Sequence, residues 1–145
     1  MPTAGYSGTP LPKKLGIKAG CALALIDAPT GFDETLGLTG PGAAQMPDDV
    51  TVSRSLGDRH DVVVAFFTER SSFESLIADL GDVVFPDGGV WIAWPKKASK
   101  VPTDMTEDVV REVALPLGLV DNKVCAIDAT WSGLRVVWRR ELRKR

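Results

Sequence analysis

Between Asp61 and Lys97 the spacing of apolar residues changes twice. Val62–Phe67 is an unbroken apolar run, Phe73, Leu76, Ile77, Leu80 and Val84 then recur at helical spacing, and Val90–Trp94 is a second unbroken run. Short runs that are apolar on both faces suit strands covered on both sides, hence a parallel sheet between helices. The segment predicts strand, helix, tight turn (Pro86-Asp87-Gly88-Gly89) and strand. Ser71 and Glu74 have the spacing of a capping box at the helix start.

The flanking pattern extends this unit. Cys21–Ala28 reads as a first strand, and Asp33–Leu36 as a short helix in the weakly patterned stretch 32–47. Asp49–Leu56, with its alternation, reads as an edge or half-exposed strand. After the second buried strand, Asp104 and Glu107 form a second possible capping box. Val109, Val110, Val113 and Leu117 supply the helical stripe, and Pro116 predicts a kink or an end near Leu115. Asn122–Ile127 and Leu134–Trp138 are strands whose short link makes them antiparallel. Residues 1–12 predict an irregular arm, 13–138 one domain, and 139–145 a basic tail; the single turn Pro12–Gly16 opens the domain. The expected fold class is α/β, a Rossmann-like three-layer sandwich with a mostly parallel sheet and a C-terminal antiparallel pair.

Composition fits this picture without staples. A chain of 145 residues with 44% apolar and 25% charged residues can bury about 68–70% of its unfolded surface as one domain. No apolar run reaches the roughly 18 residues of a membrane span, and the N-terminus lacks a signal-peptide core, so the expected location is cytoplasmic. Cys21 and Cys125 lie far apart within apolar runs and read as packing thiols. The net charge of −2 is uneven: residues 1–90 hold 6 Lys and Arg against 12 Asp and Glu, while residues 91–145 hold 11 against 7. The excess lies in Trp94–Lys100 and in the tail, yet the sequence pI near 5.4 speaks against nucleic acid as a partner.

Chemistry is sparse along the chain. One histidine, His60, and two distant cysteines offer no metal-ligand spacing. No G-x-x-x-x-G-K-[ST], G-x-G-x-x-G or G-x-S-x-G motif occurs, and no residue is assigned a catalytic role. His60, just before a buried strand, is expected to be exposed at its mouth. Ligands of open parallel sheets bind beyond the carboxyl ends of the strands. Those ends carry Asp27, then Thr68, Glu69 and Arg70, then Trp94, Lys96 and Lys97. Together they could hold an anionic small molecule, with the lysines as point charges and Trp94 as a stacking wall. In the plainer reading these are loop charges and a core tryptophan. A second candidate is an interface of Tyr6, Trp131, Arg135 and Trp138, since aromatics and arginine anchor interfaces. Its plain alternative is that Trp131 caps the sheet edge or packs on the arm that holds Tyr6.

The motifs GYSGTPLPKKLGIKAG (5–20), WPKKAS (94–99), DNKVCAID (121–128) and WSGLRVV (131–137) resemble an uncharacterised bacterial family known only as a domain of unknown function, which implies no activity. The order strand, capped helix, Pro-Asp-Gly-Gly, strand, helix, antiparallel pair is similar to the C-terminal half of class I methyltransferases. Leu15–Gly20 leading into the first strand resembles their entry. That resemblance implies a doubly wound sheet and a methyl donor on a Gly-rich loop after the first strand. This chain departs there: Ala28-Pro29-Thr30-Gly31 has one glycine, and the Val50–Ser55 strand ends without an acid to hold a ribose. No cofactor is therefore expected. Three functions remain open: a non-catalytic binding or interaction module for an anionic small molecule or a protein, an enzyme on an anionic or nucleotide-like substrate, and nucleic-acid binding through the basic loop and tail.

Overall fold

The computed structural model describes residues 9–40, 43 and 45–143. In chain order the elements are α1 (Leu11–Lys14), β1 (Ala22–Ile26), α2 (Phe32–Leu36), β2 (Thr51–Ser53), β3 (Val62–Phe66), α3 (Arg70–Val84), β4 (Gly89–Pro95), α4 (Glu107–Ala114), β5 (Leu119–Ala126) and β6 (Trp131–Trp138). The strands form one sheet in the order β2-β1-β3-β4-β6-β5. The first four are parallel, and the β5–β6 hairpin joins β4 antiparallel through β6. This is the Rossmann-like α/β fold with its C-terminal antiparallel pair. From β1 the chain goes outward to β2, then returns to the opposite side for β3, so strand order reverses between β1 and β3.

The two apolar runs are buried because each faces helix or loop on both sides. Val63 and Ala65 of β3, with Val90, Ile92 and Trp94 of β4, pack under Phe73, Ile77, Leu80 and Val84 of α3. Val62, Val64 and Phe66, with Trp91 and Ala93, point the other way into Leu15, Ile17, Leu23, Phe32 and Leu36. The period-2 alternation thus divides one strand between two cores. Trp91 is fully buried in the second, and its indole N–H donates to the Leu15 carbonyl at 2.9 Å. That bond ties the loop after α1 to the sheet.

The helix starts differ from the capping boxes that the sequence suggests. No side chain of its own first turn caps α3; the backbone N–H of Arg70 donates instead to Asp104 Oδ1 at 2.6 Å, from before α4. Helix α4 is capped by Thr106, whose hydroxyl accepts from the Val109 N–H at 3.1 Å. Asp104 therefore serves the neighbouring helix, a partnership set by tertiary approach. Pro116 does end α4: a single 3-10 turn, Leu115–Leu117, follows and stops at Gly118. Gly81 in α3 lets the hairpin approach, since a Cβ there would lie 3.2 Å from both Leu119 and Trp138.

His60 is a correction. It is only 5% exposed, not open at a strand mouth. Its backbone N–H donates to the Val83 carbonyl at 2.7 Å, and its Nδ1 has no hydrogen-bond partner among the described residues. Cys21 is buried and Cys125 half-buried; both are free thiols, pushed up in pKa chiefly by burial. Among the described residues no helix is long and apolar enough to cross a membrane.

Candidate functional site

The carboxyl edge of the parallel strands gathers most of the strand-end residues singled out from sequence. Asp27 follows β1, exposed and in the left-handed region at φ 57°. The Thr68 carbonyl accepts from the Thr103 hydroxyl at 2.6 Å, and Glu69 is exposed at the start of α3. The Arg70 guanidinium donates to Glu74 at 2.8 Å and to Glu112 of α4, and these two partners push its pKa up. Lys96 is half-buried, with its N–H bound to the Thr130 carbonyl at 2.7 Å, and Lys97 is exposed at the start of a 3-10 turn. Trp94 faces the α3 core and is buried there. Among the described residues, no side-chain hydrogen bond or ion pair joins any two of these seven.

Sequence reading missed what lies between them. Asp33 of α2 holds Arg54, just past β2, by two bonds of 2.8 and 3.1 Å, a fork-to-fork pair across the outer mouth of β1. Phe66, at the end of β3, is met edge-on by Phe32 at 4.8 Å and by Trp131 at 5.1 Å. Such aromatic contacts contribute about 0.5–1.5 kcal/mol each beyond the area they bury. Trp131 is positioned by Asp128, whose carboxylate accepts from the Thr130 and Trp131 N–H groups at 2.8 Å each. The reversal point between β1 and β3 is thus floored by packed rings. The Asp33–Arg54 pairing spans residues 21 apart and leaves no local pattern to find.

The other interface candidates are spread out. Trp138 donates its indole N–H to the Gly81 carbonyl at 2.8 Å and stacks edge-on with Phe85 at 5.7 Å, on the α3 face. Arg135 and Trp131 lie on the opposite face, and Tyr6 is outside the described residues, as are the last two residues of the basic tail.

The residues after β1 fit a bound methyl donor poorly. Pro29 contributes no N–H, the Phe32 N–H is used by the Pro29 carbonyl at 3.1 Å, and a cation, Arg54, stands where an acid would hold a ribose. No family model matches the chain, and no curated protein does. Solved structures do. One is a SAM-dependent methyltransferase from Aquifex aeolicus, 16% identical over 86% of this chain and 85% of that one, with a TM-score of 0.59. Another is the magnesium protoporphyrin IX methyltransferase ChlM from Synechocystis PCC 6803 with bound SAM, 10% identical over 89% of this chain and 74% of that one, with a TM-score of 0.56. At such identities the likeness concerns architecture, not activity. The chain has the methyltransferase-like Rossmann fold: a six-stranded, mostly parallel sheet closed by a C-terminal antiparallel hairpin.

Proposed function

We propose that the chain is a non-catalytic binding module on a methyltransferase-like scaffold, with an anionic small molecule as its ligand class. The observation that carries this reading is how the carboxyl edge is used. Arg70 is engaged by Glu74 and Glu112, Arg54 by Asp33, and the reversal point is filled by Phe32, Phe66 and Trp131. Groups that would need to turn toward a substrate are committed to holding α2, α3 and α4 in place. The likeness of its motifs to an uncharacterised bacterial family belongs to the same reading and adds no activity. Turnover assays with S-adenosylmethionine and with nucleotides test the non-catalytic part of it. No turnover is expected, and turnover that is lost in Asp27→Ala would overturn it.

One observation favours an enzyme acting on an anionic or nucleotide-like molecule. Asp27 holds a left-handed backbone, exposed, at the reversal point itself. Residues held in sparsely populated conformations cluster at functional sites. Under that reading Asp27 is the residue that contacts the substrate, and the same turnover assays separate the two.

A further inference from the structure

The opposite, amino end of the sheet holds three cations, Arg135, Lys123 and Lys18, whose side chains form no ion pair among the described residues. Arg135 lies in β6, directly across from Trp91 of β4 on one side and Lys123 of β5 on the other. Residues opposite one another in a sheet share a face, so these three side chains form one row. Lys123 reaches that row only through a bulge. Asp121 pairs with Val136, and without an extra residue Asn122 would face Arg135; the irregularity between Asp121 and Lys123 puts the lysine there instead. Directly opposed like charges are destabilising in a sheet. Bulges commonly re-aim a side chain beside a functional site.

The guanidinium also has a place prepared for it. A Cβ built on Gly89 would fall 2.4 Å from Arg135 Nε and 2.6 Å from Cζ and Nη2. The second glycine of the Pro-Asp-Gly-Gly turn is thus the floor on which the guanidinium rests. Two carboxylates, Asp61 and Asp87, line the same cavity, yet both pair with Arg59, at 2.8 and 2.6 Å. Asp61 Oδ2 further accepts the Ala22 N–H at 2.9 Å. The Arg135 side chain makes no hydrogen bond or ion pair with any described residue. It is half-buried, and its pKa is pulled down first by burial and then by the charge of Arg143. A cavity of about 320 Å³ opens in front of it beside Lys18, and a second, of about 200 Å³, is lined by Lys18, Trp91 and Lys123 as well as by Arg135.

We propose that these two cavities, which share Gly16, Lys18 and Arg135 in their walls, together bind a small phosphorylated molecule, with its phosphate group in the smaller one beside Lys123. The Arg135 fork donates to two phosphate oxygens, Lys123 and Lys18 add point charges, and Trp91 closes the floor. A planar five-donor fork beside two ammonium groups matches a dianionic tetrahedral head better than a single carboxylate. The remaining cavity, on the Asp61 and Asp87 side, offers acceptors for hydroxyl groups of the organic part. The site lies at the end of the strands opposite the reversal point, so it stands whether or not the carboxyl edge is catalytic.

Phosphorus-31 NMR and calorimetry with inorganic phosphate on the whole chain, at ionic strength matched with chloride, test the site. Wild type and the distant Arg54→Gln control are expected to bind one phosphate saturably. Arg135→Gln should weaken binding roughly ten- to a hundredfold, the loss of a charge-assisted hydrogen-bonding group. Gly89→Ala should weaken it comparably while every charge remains, because the new methyl displaces the guanidinium. Removal of a half-buried unpaired charge should leave the urea midpoint of Arg135→Gln at or above that of wild type. Absence of saturable binding by wild type, equal binding by Arg135→Gln, or an equal loss in Arg54→Gln would each overturn the proposal. So would a marked destabilisation of Arg135→Gln, which would make the guanidinium structural. A short oligonucleotide that binds through Arg135 while inorganic phosphate does not would replace the small-molecule ligand with a nucleic-acid backbone.

Discussion

At the carboxyl edge of the sheet, Arg54 meets Asp33 and Arg70 meets Glu74 and Glu112. At the amino edge Arg135 meets no acceptor among the described residues, although Asp61 and Asp87 line its cavity. The difference lies in what the carboxylates are already doing. Asp61 and Asp87 are held by Arg59, which also donates to the Phe85 carbonyl at 3.2 Å, so the 59–61 corner and the Asp87 turn are fastened together. Cations alone are therefore a poor guide to a ligand site. The informative feature is a half-buried cation whose neighbouring anions are spoken for.

The two ends can be set against each other by mutation, beginning with their aromatic floors. Phe66→Ala should destabilise the chain by about 3–5 kcal/mol in urea unfolding, as large truncations in a core do. Trp91→Ala should cost a similar amount, about 3–5 kcal/mol, and also remove the amino-end floor. A small loss for Phe66→Ala would mean that the reversal point is not packed shut and would reopen it to a ligand. The cap exchanged between helices comes next. Asp104→Ala should cost about 0.5–2 kcal/mol, whereas Ser71→Ala, at the position the sequence suggested, should change the urea midpoint little. The reverse ranking would restore the local capping box.

Acid titration separates the corner carboxylate from the rest. The Asp61 carboxyl is held below the usual carboxylate range, first by the Ala22 N–H and then by the Arg59 side chain. Its folded pKa lies below its unfolded one, so its contribution is present above the unfolded value, near pH 4, and fades as pH falls through the lowered folded value. Asp61→Asn should therefore flatten the acid limb of a stability–pH curve and leave the slope above pH ~6 unchanged. The contribution is modest, because the side chain is 45% exposed. The smallest effect belongs to the Asp33–Arg54 pair, whose side chains are 42% and 54% exposed. Arg54→Ala should shift stability by less than about 1 kcal/mol, and less still in high salt. A larger loss would show the pair closing the β1 mouth as a structural clamp.

The sequence by itself determined the elements that depend on near neighbours. Val62–Phe67 and Val90–Trp94 read as buried strands because an unbroken apolar run leaves no face for water, and both runs are buried. The stripe Phe73, Leu76, Ile77, Leu80 and Val84 read as the inner face of α3 because residues three and four apart share one side of a helix, and all are buried but Leu76, which is half-buried. Pro116 ends α4 for an equally local reason, its missing donor. Arg135 was legible as a residue of interest beside aromatics, but grouped with Trp138, which faces the other core. Tertiary structure alone decided that Asp104 caps α3, that Arg54 takes Asp33, that His60 is buried, and that Arg135 lies over Gly89. Each of these joins positions far apart in the chain. Charge and hydrogen-bonding capacity are written in the sequence, but which donor finds which acceptor is fixed only when the sheet brings distant segments within 3 Å or so of one another.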